Sequence, residues 1–524
     1  MNINGIDLAL IVSYIVVVIA YGIWRSRNVT DSSGFLVAGR SLGIFILVAT
    51  VVMTEFNTAT MVGYSSFGYM AGFYSQWILM GMFIGFACYT FIVAKRWKRI
   101  NATSIIELFE IRYNRNFRIL ATFMIVAMLI FFSPAYLRAV SLIFASSLGI
   151  PLWATVLIIS SAVLIFSVVG GLTAVAHTNT FSFVITMVAL PLIWYFARSN
   201  AMDAGGLENV FDARYLNVNP SGMWDDPVMP FSFTFSTYIL MLLIYMQSPW
   251  YAQLMTAAKN EKVAYASMMI GTVLIVIVYG LAMQTATFVK AGFPDLPDPQ
   301  LALPMAINHW LPAGIKGLTL AVIFAIGQTT IGTIWNNIVS IVTNDIFKRM
   351  IDPDASEKKL LRFSRIFTIG IALFTIVVSI TIVDQVINTL FIANIFMASL
   401  FFPALGGFLW WRTGEKAIWI TTIIAIISGF ATVLLVKRGG TFSINDWMFL
   451  YYVIISPIIV CMGLIISWHE KPTKQFMTKR VRFFDKVGAP WFGKREYLEY
   501  KLTNPGHTEH IFQAVKNNGK YLHS

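Results

Sequence analysis

Gly327-Gln328-Thr329-Thr330 sets two adjacent hydroxyls and an amide inside an apolar run that spans residues 318–334. Neighbouring Thr oxygens, joined by backbone carbonyls freed from a broken helix elsewhere, make a hard-oxygen cage of the kind that binds Na+. The structural alternative is that both hydroxyls only bond back to carbonyls one turn earlier in their own helix. Two other polar runs interrupt apolar segments, Thr54-Glu55-Phe56-Asn57-Thr58 and Gln247-Ser248-Pro249-Trp250. Glu55 and Arg138 are the charges that most need a reason, because a charge near the bilayer centre costs about 2.5–3.5 kcal/mol on insertion scales and so faces a cavity or a partner. Glu55 could raise Na+ affinity through space, or carry a proton itself. Arg138, one turn after Pro134, has the planar fork that grips a solute carboxylate by two parallel bonds. The alternative is an ion pair between Glu55 and Arg138, in which case neither names the solute.

These groups must be held by membrane helices. Of 524 residues 57% are hydrophobic and 12% charged, and the mean hydropathy of +0.71 excludes a soluble globular protein. Apolar runs long enough to cross a ~30 Å hydrocarbon core recur along the chain. About thirteen spans are expected, at residues 6–24, 41–70, 75–97, 116–146, 151–170, 172–198, 231–256, 261–290, 313–345, 360–383, 386–411, 416–436 and 447–468. The formal charge of +13 does not point to nucleic acid, because the basic residues collect in alternate loops, such as Lys95, Arg96, Lys98 and Arg99, or Lys348, Arg349, Lys358 and Lys359. By the positive-inside rule those loops are cytoplasmic, which puts the N-terminus outside and the C-terminus inside a plasma (inner) membrane. Cys88 and Cys461 both sit in apolar spans and support neither a disulfide framework nor a metal cluster.

Spans 2 and 7 carry the polar, Pro-interrupted midpoints, five spans apart. That spacing implies two five-helix repeats, spans 2–6 and 7–11, each opened by a discontinuous helix, with the binding site at the breaks. Residues 1–470 form the transmembrane domain and 471–524 a polar, aromatic cytoplasmic tail. The stretch 104–113 is short and amphipathic and is expected to lie on the cytoplasmic surface. The loop 291–312 contains a short helix over 301–311 that could cap an outward vestibule.

Four motifs resemble the sodium/solute symporters over about residues 5–470. They are Phe35-Leu36-Val37-Ala38-Gly39-Arg40-Ser41-Leu42-Gly43 before span 2, Val169-Gly170-Gly171-Leu172-Thr173-Ala174-Val175 opening span 6, Ala257-Ala258-Lys259 after span 7, and Thr329-Thr330 fifteen residues before Asp345 in Thr343-Asn344-Asp345-Ile346-Phe347-Lys348. The resemblance implies an all-α, leucine-transporter-type inverted-repeat fold, with ion and solute at the midplane. It implies a Na+ site made by the side chains of Thr329 and Thr330 and the carbonyls of Ile326, Met53 and Phe56. Such a set of uncharged oxygens suits a weakly held monovalent ion, whereas Ca2+ or Mg2+ would want more carboxylates. The solute pocket is expected from Glu55, Asn57, Thr60, Arg138, Gln247, Ser248 and Trp250, with Asn57 and Thr60 at solute-facing positions of the family. For Trp250 the alternative is a core or lipid-facing ring.

Where many relatives carry an Asp eight residues after the second Gly of the span-6 motif, this chain has Asn179, and Leu254 replaces an Arg before Ala257. A charge is lost, so one coupling ion per solute is expected. The implied activity is not enzymatic: Na+-coupled import of a small polar, carboxylate-bearing organic solute by a monomer in the lipid bilayer, through alternating access. The rivals are H+ coupling through Glu55 and a non-transporting solute sensor, for which the tail is too short to hold a kinase.

Overall fold

The computed structural model describes residues 3–26, 40–102, 105–167, 172–218, 226–438 and 443–504. Of the resembling motifs, Phe35 to Gly39 and Val169 to Gly171 lie outside them. Among the described residues eight helices are long and apolar enough to cross a membrane, or ten if each of two bent pairs is one span. Backbone groups have no water to bond in hydrocarbon, so helices that satisfy them internally are the way these apolar runs can cross.

The first repeat opens with α2 (Ile44–Glu55) and α3 (Thr58–Ala71), while α1 (Gly5–Ser26) precedes it. It continues through α4 (Trp77–Tyr89), α5 (Lys95–Ile100), α6 (Ile105–Arg112), α7 (Arg115–Leu148), α8 (Leu152–Ser167) and α9 (Leu172–Asp203). The second opens with α10 (Phe231–Tyr245) and α11 (Pro249–Ala257), bent by 46°. It continues with α12 (Glu261–Gly292), the short α13 (Ala302–Trp310), α14 (Ile315–Ile341) and α15 (Glu357–Thr381). Its last span is α16 (Val386–Ala398) and α17 (Phe402–Leu409), bent by 43°. This second bent pair was not expected from the sequence; Pro403 cannot donate an amide to the carbonyl of Ser399, and the ladder opens there. Then follow α18 (Glu415–Arg438), α19 (Ile444–His469), α20 (Lys474–Val487) and α21 (Lys494–Thr503).

The packing of the two repeats is reciprocal. The broken pair α2/α3 packs on α12, and of the broken pair α10/α11 the first packs on α4 and the second on α5; α7 packs on α16, and α14 on α9. Likewise α7 meets α15 and α14 meets α8, while α7 and α14 meet each other at the centre. Exchanging α2/α3 with α10/α11, α4/α5 with α12, α7 with α14, α8 with α15 and α9 with α16 carries each of these contacts into another of them, and the central one into itself. Five crossings are an odd number, so the second repeat enters from the opposite side and is inverted. Two of the resembling motifs meet where the repeats begin: Leu42 accepts from the amide of Lys259 at 3.0 Å and donates to Ala257 at 3.1 Å.

Helix ends are closed by side chains. Asn114 caps α7 and Asn260 caps α12 through amides at 2.8 and 2.9 Å. The start of α14 is closed from another helix: buried Asp7 of α1 accepts from the amides of Gly314 and Gly317, each at 2.8 Å.

At the end of the bundle that carries the basic loops, α6 is not a surface strip. Ile106, Leu108, Phe109 and Arg112 are all buried. The Arg112 guanidinium donates to the carbonyl of Gly407 at 3.1 Å and lies 5.0–5.7 Å from the rings of Tyr113, Phe476, Phe483 and Phe484. The last three rings belong to α20. The segment after α19 thus docks on the bundle and covers Arg112, one of the polar residues of the amphipathic stretch 104–113. Arg480 of α20 reaches the carbonyls of Arg412 and Thr413 at 3.2 and 2.9 Å. Arg118, Glu110, Asp345 and Arg349 form an ion network beside it, with Arg118 and Asp345 at 2.6 Å.

Candidate functional site

The apolar α2 stops at Glu55 because the chain turns at Phe56 and Asn57, whose φ/ψ angles are −75°/74° and −106°/171°. Asn57 organises the turn. Its Oδ1 accepts from the amides of Ala59 and Thr60, each at 3.1 Å, and its Nδ2 donates to the carbonyls of Glu55 and Thr54 at 2.8 and 3.3 Å. Its own amide donates to Glu55 at 2.8 Å. The Glu55 carbonyl also accepts from Thr60 Oγ1 at 2.9 Å and from the Tyr279 hydroxyl at 2.5 Å. In an unbroken helix the amides of Asn57 and Thr60 would close on the carbonyls of Met53 and Phe56. Both amides are engaged elsewhere, so the break frees those two oxygens.

Across a cavity of about 100 Å3 stands α14. A Cβ on Gly327 would sit 2.8 Å from Val140, so only glycine lets α14 approach α7 this closely. Thr330 Oγ1 donates to the Ile326 carbonyl at 2.8 Å, and Thr329 Oγ1 to that of Ala325 at 2.9 Å. The back-bonding alternative is therefore the geometry present, but it does not exclude ligation. A hydroxyl has one proton and two lone pairs, and a proton turned back into the helix leaves a lone pair for the cavity. Asn179 lies 3.3 Å from Thr329 Oγ1.

Glu55 is the sole charged side chain lining the cavity among the described residues. Its Oε1 accepts from the Tyr245 hydroxyl at 2.6 Å and its Oε2 from that of Tyr251. The two tyrosines flank the break of the second repeat. Tyr245 stacks on Phe86 at 3.9 Å, and Gly85 makes room, since a Cβ there would meet the Tyr245 ring at 2.6 Å.

The break that opens the second repeat is built differently. Pro249 sits at the first position of α11, where no amide is needed. Ser248 precedes it, makes no capping bond, and its buried Oγ has no partner. Gln247 donates to the carbonyls of Leu243, at 2.9 Å, and Met397, tying this break to the one between α16 and α17. Trp250 stacks nearly parallel to Phe132 at 5.9 Å, so its ring is a cavity wall.

Met53, Glu55, Asn57, Thr60, Ser248, Trp250, Thr329 and Thr330 come together around the cavity. Phe56 and Ile326 line a neighbouring apolar cavity of about 30 Å3, and Gln247 and Arg138 line neither. Arg138 is a correction. It neither reaches the cavity nor pairs with Glu55; its Nη1 donates to the Ser379 carbonyl at 3.1 Å. Val383, whose amide would close on Ser379, bonds to Val378 instead, so Arg138 caps an orphaned carbonyl at the C-terminus of α15, where a cation is favoured. The sequence reading missed Tyr245, Tyr251 and Tyr279, and gave no role to Asn394, which lines the cavity with a buried, unpartnered Oδ1. The signal available was Tyr245 and Tyr251 standing beside the Gln247-Ser248-Pro249 interruption.

The chain is 23% identical to the symporter YidK of Escherichia coli (strain K12) over 393 residues, 72% of this chain and 69% of that one. It is 23% identical to a sodium/glucose cotransporter of Vibrio parahaemolyticus over 410 residues, 70% of this chain and 73% of that one. Its fold matches a solved Na+-coupled sialic acid symporter, in a substrate-bound outward-open state, with a TM-score of 0.72 at 20% identity, covering 90% of this chain and 99% of that chain. The inverted-repeat helical bundle and a match of residues 35–425 to the family model together make the chain a multi-pass membrane transporter that belongs to the sodium:solute symporter family.

Proposed function

We propose that the chain imports a small polar solute together with Na+, by alternating access to the cavity between the two helix breaks. The observation that carries this reading is the break at Glu55. It frees the carbonyls of Met53 and Phe56, and the cavity that Met53 lines is also lined by Thr329 and Thr330, whose hydroxyls bond back to carbonyls of α14. Neutral hard oxygens on one side, with the carboxylate of Glu55 nearby, suit a monovalent cation held weakly enough to be released. In this reading Met53, Phe56, Thr329 and Thr330 ligate Na+, and Ile326 anchors Thr330 through its carbonyl. Asn179 adds no charge, so one Na+ moves per cycle. Both oxygens of Glu55 accept tyrosine hydroxyls, which is the arrangement of a fixed carboxylate rather than of a proton carrier.

The solute class follows from the charge of the cavity. A carboxylate-bearing solute was expected from Arg138, which caps α15 instead. With Glu55 as its one charged side chain among the described residues, the cavity favours a neutral or cationic solute rich in donors, met by Ser248 Oγ, Asn394 Oδ1 and the face of Trp250. The basic end of the bundle faces the cytoplasm of the plasma membrane, with the N-terminus outside, and the monomer holds the whole pathway.

A thermal-shift screen of the purified protein tests both statements, because a bound ligand raises the melting temperature by mass action. Na+ should stabilise it where K+ at equal ionic strength does not, with a Hill coefficient near one, and neutral or cationic solutes should add a Na+-dependent shift. Stabilisation confined to carboxylates would overturn the solute class. A shift that follows pH and ignores Na+ would move the coupling to H+.

A further inference from the structure

The docked segment 471–504 carries nine Lys and Arg against three Asp and Glu. Part of it is turned the wrong way for a cytosolic surface. Trp491 and Phe492 are 53% and 60% exposed, and Leu498 and Leu502, one turn apart on α21, are 44% and 80% exposed. Lys494 and Arg495 lie between the aromatic pair and the leucines. An exposed aromatic and leucine stripe interleaved with basic residues is the pattern of a segment lying in the interface of a bilayer.

Its position agrees. The backbone of Phe492 is locked to the bundle, accepting from the Trp411 amide and donating to the Leu409 carbonyl, each at 3.0 Å. Arg412 lies 4.3 Å from the ring of Trp468, in the last turn of α19, and forms a bidentate pair with Glu496 at 2.8 and 2.9 Å. The stripe is therefore fixed at the end of a membrane span. There Phe492 joins Phe401, Phe402, Leu405, Leu409, Val460 and Leu464 in lining a groove of about 310 Å3. Among the described residues the groove has no charged lining, and it opens along the exposed apolar face of α19, at Leu464 and Ile465. Lys494 and Arg495 follow Phe492 closely and are exposed; among the described residues the one ion pair of Arg495 is to Glu499 of its own helix.

We propose that this groove seats one acyl chain of an anionic phospholipid of the cytoplasmic leaflet, whose headgroup is held by Lys494 and Arg495. Apolar lining selects a chain, and the two exposed cations that follow the lining residue Phe492 select the negative headgroup. The proposal uses the membrane span and the docked tail only, so it stands apart from the identity of the coupling ion or solute.

The test uses the full-length protein in detergent, given phosphatidylglycerol or phosphatidylcholine with identical acyl chains. Melting temperature and lipid retained in native mass spectrometry are the readouts. Phosphatidylglycerol should raise the melting temperature more and be retained, while glycerol phosphate alone should do nothing. Lys494→Gln with Arg495→Gln, which disturbs no buried contact, should abolish the preference between the two lipids. Leu405→Trp, which fills the groove, should reduce retention of both. Equal stabilisation by the two lipids, a preference that survives the double substitution, or an equal effect of glycerol phosphate would each overturn the proposal.

Discussion

The breaks that open the two inverted repeats occupy equivalent places, yet they treat their polar groups in opposite ways. At the first, side chains close on the backbone: Asn57 takes two amides and gives two bonds, and Thr60 and Tyr279 converge on the Glu55 carbonyl. What is left over is backbone oxygen, at Met53 and Phe56. At the second, Pro249 removes the need for a cap and side-chain oxygens stay unused: Ser248 Oγ and Gln247 Oε1 are buried without partners, while Gln247 Nε2 donates to the carbonyls of Leu243 and Met397. A rigid ring of carbonyls suits an ion whose size must be matched, whereas free side-chain groups suit a solute whose shape must be met. The first break is thus built to be held still and the second to be completed by a ligand. The pseudo-symmetry of the fold does not extend to chemistry.

The largest effect expected from this contrast is on stability at the first break. Asn57→Ala removes a cap and leaves buried amides unpaired, and should cost about 3 kcal/mol, combining a cap loss of about 1 with unsatisfied groups at about 1–3. Urea unfolding of the purified protein measures it, and a loss under about 0.5 kcal/mol would show that Asn57 does not hold the break. Next come the hydroxyls facing it. Thr329→Ala and Thr330→Ala should each raise the Na+ concentration for half-maximal stabilisation about tenfold, roughly 1.4 kcal/mol, and Ser at either position less. Unchanged Na+ dependence in the double Ala variant would remove both from the ion site.

Arg138→Gln should cost about 1 kcal/mol by uncapping α15, with solute and Na+ affinity unaltered. Combined with Glu55→Gln its effect should be additive, because the two groups do not meet; a coupling above about 0.5 kcal/mol would restore the ion pair between them. The smallest stability change belongs to the second break. Ser248→Ala removes a hydroxyl that bonds nothing, so it should move folding stability by under about 0.5 kcal/mol while weakening the solute several-fold. A destabilisation as large as that of Asn57→Ala would erase the distinction between the breaks.

The sequence by itself determined where the breaks at Glu55 and Ser248 are, because polar residues within an apolar run are rare in hydrocarbon and each needs a reason. It also determined the membrane class, the two repeats and the short helix expected over 301–311 and found at Ala302–Trp310, since hydrophobic length and spacing are local properties of the chain. Which charges meet was decided only by the tertiary structure. Glu55 and Arg138 looked like natural partners on spans 2 and 4, but Arg138 bonds an orphaned carbonyl on α15, and helix ends are not marked by the residue that caps them from afar. Glu55 is held by Tyr245 and Tyr251, from a helix 190 residues away in sequence at the nearer contact. Tyrosine is too common in membrane helices to announce such a role. The amphipathic stretch 104–113 promised a surface helix for a similar reason: periodicity reports that one face is polar, and only the docked rings of α20 reveal that Arg112 of that face lies among aromatic rings instead of water.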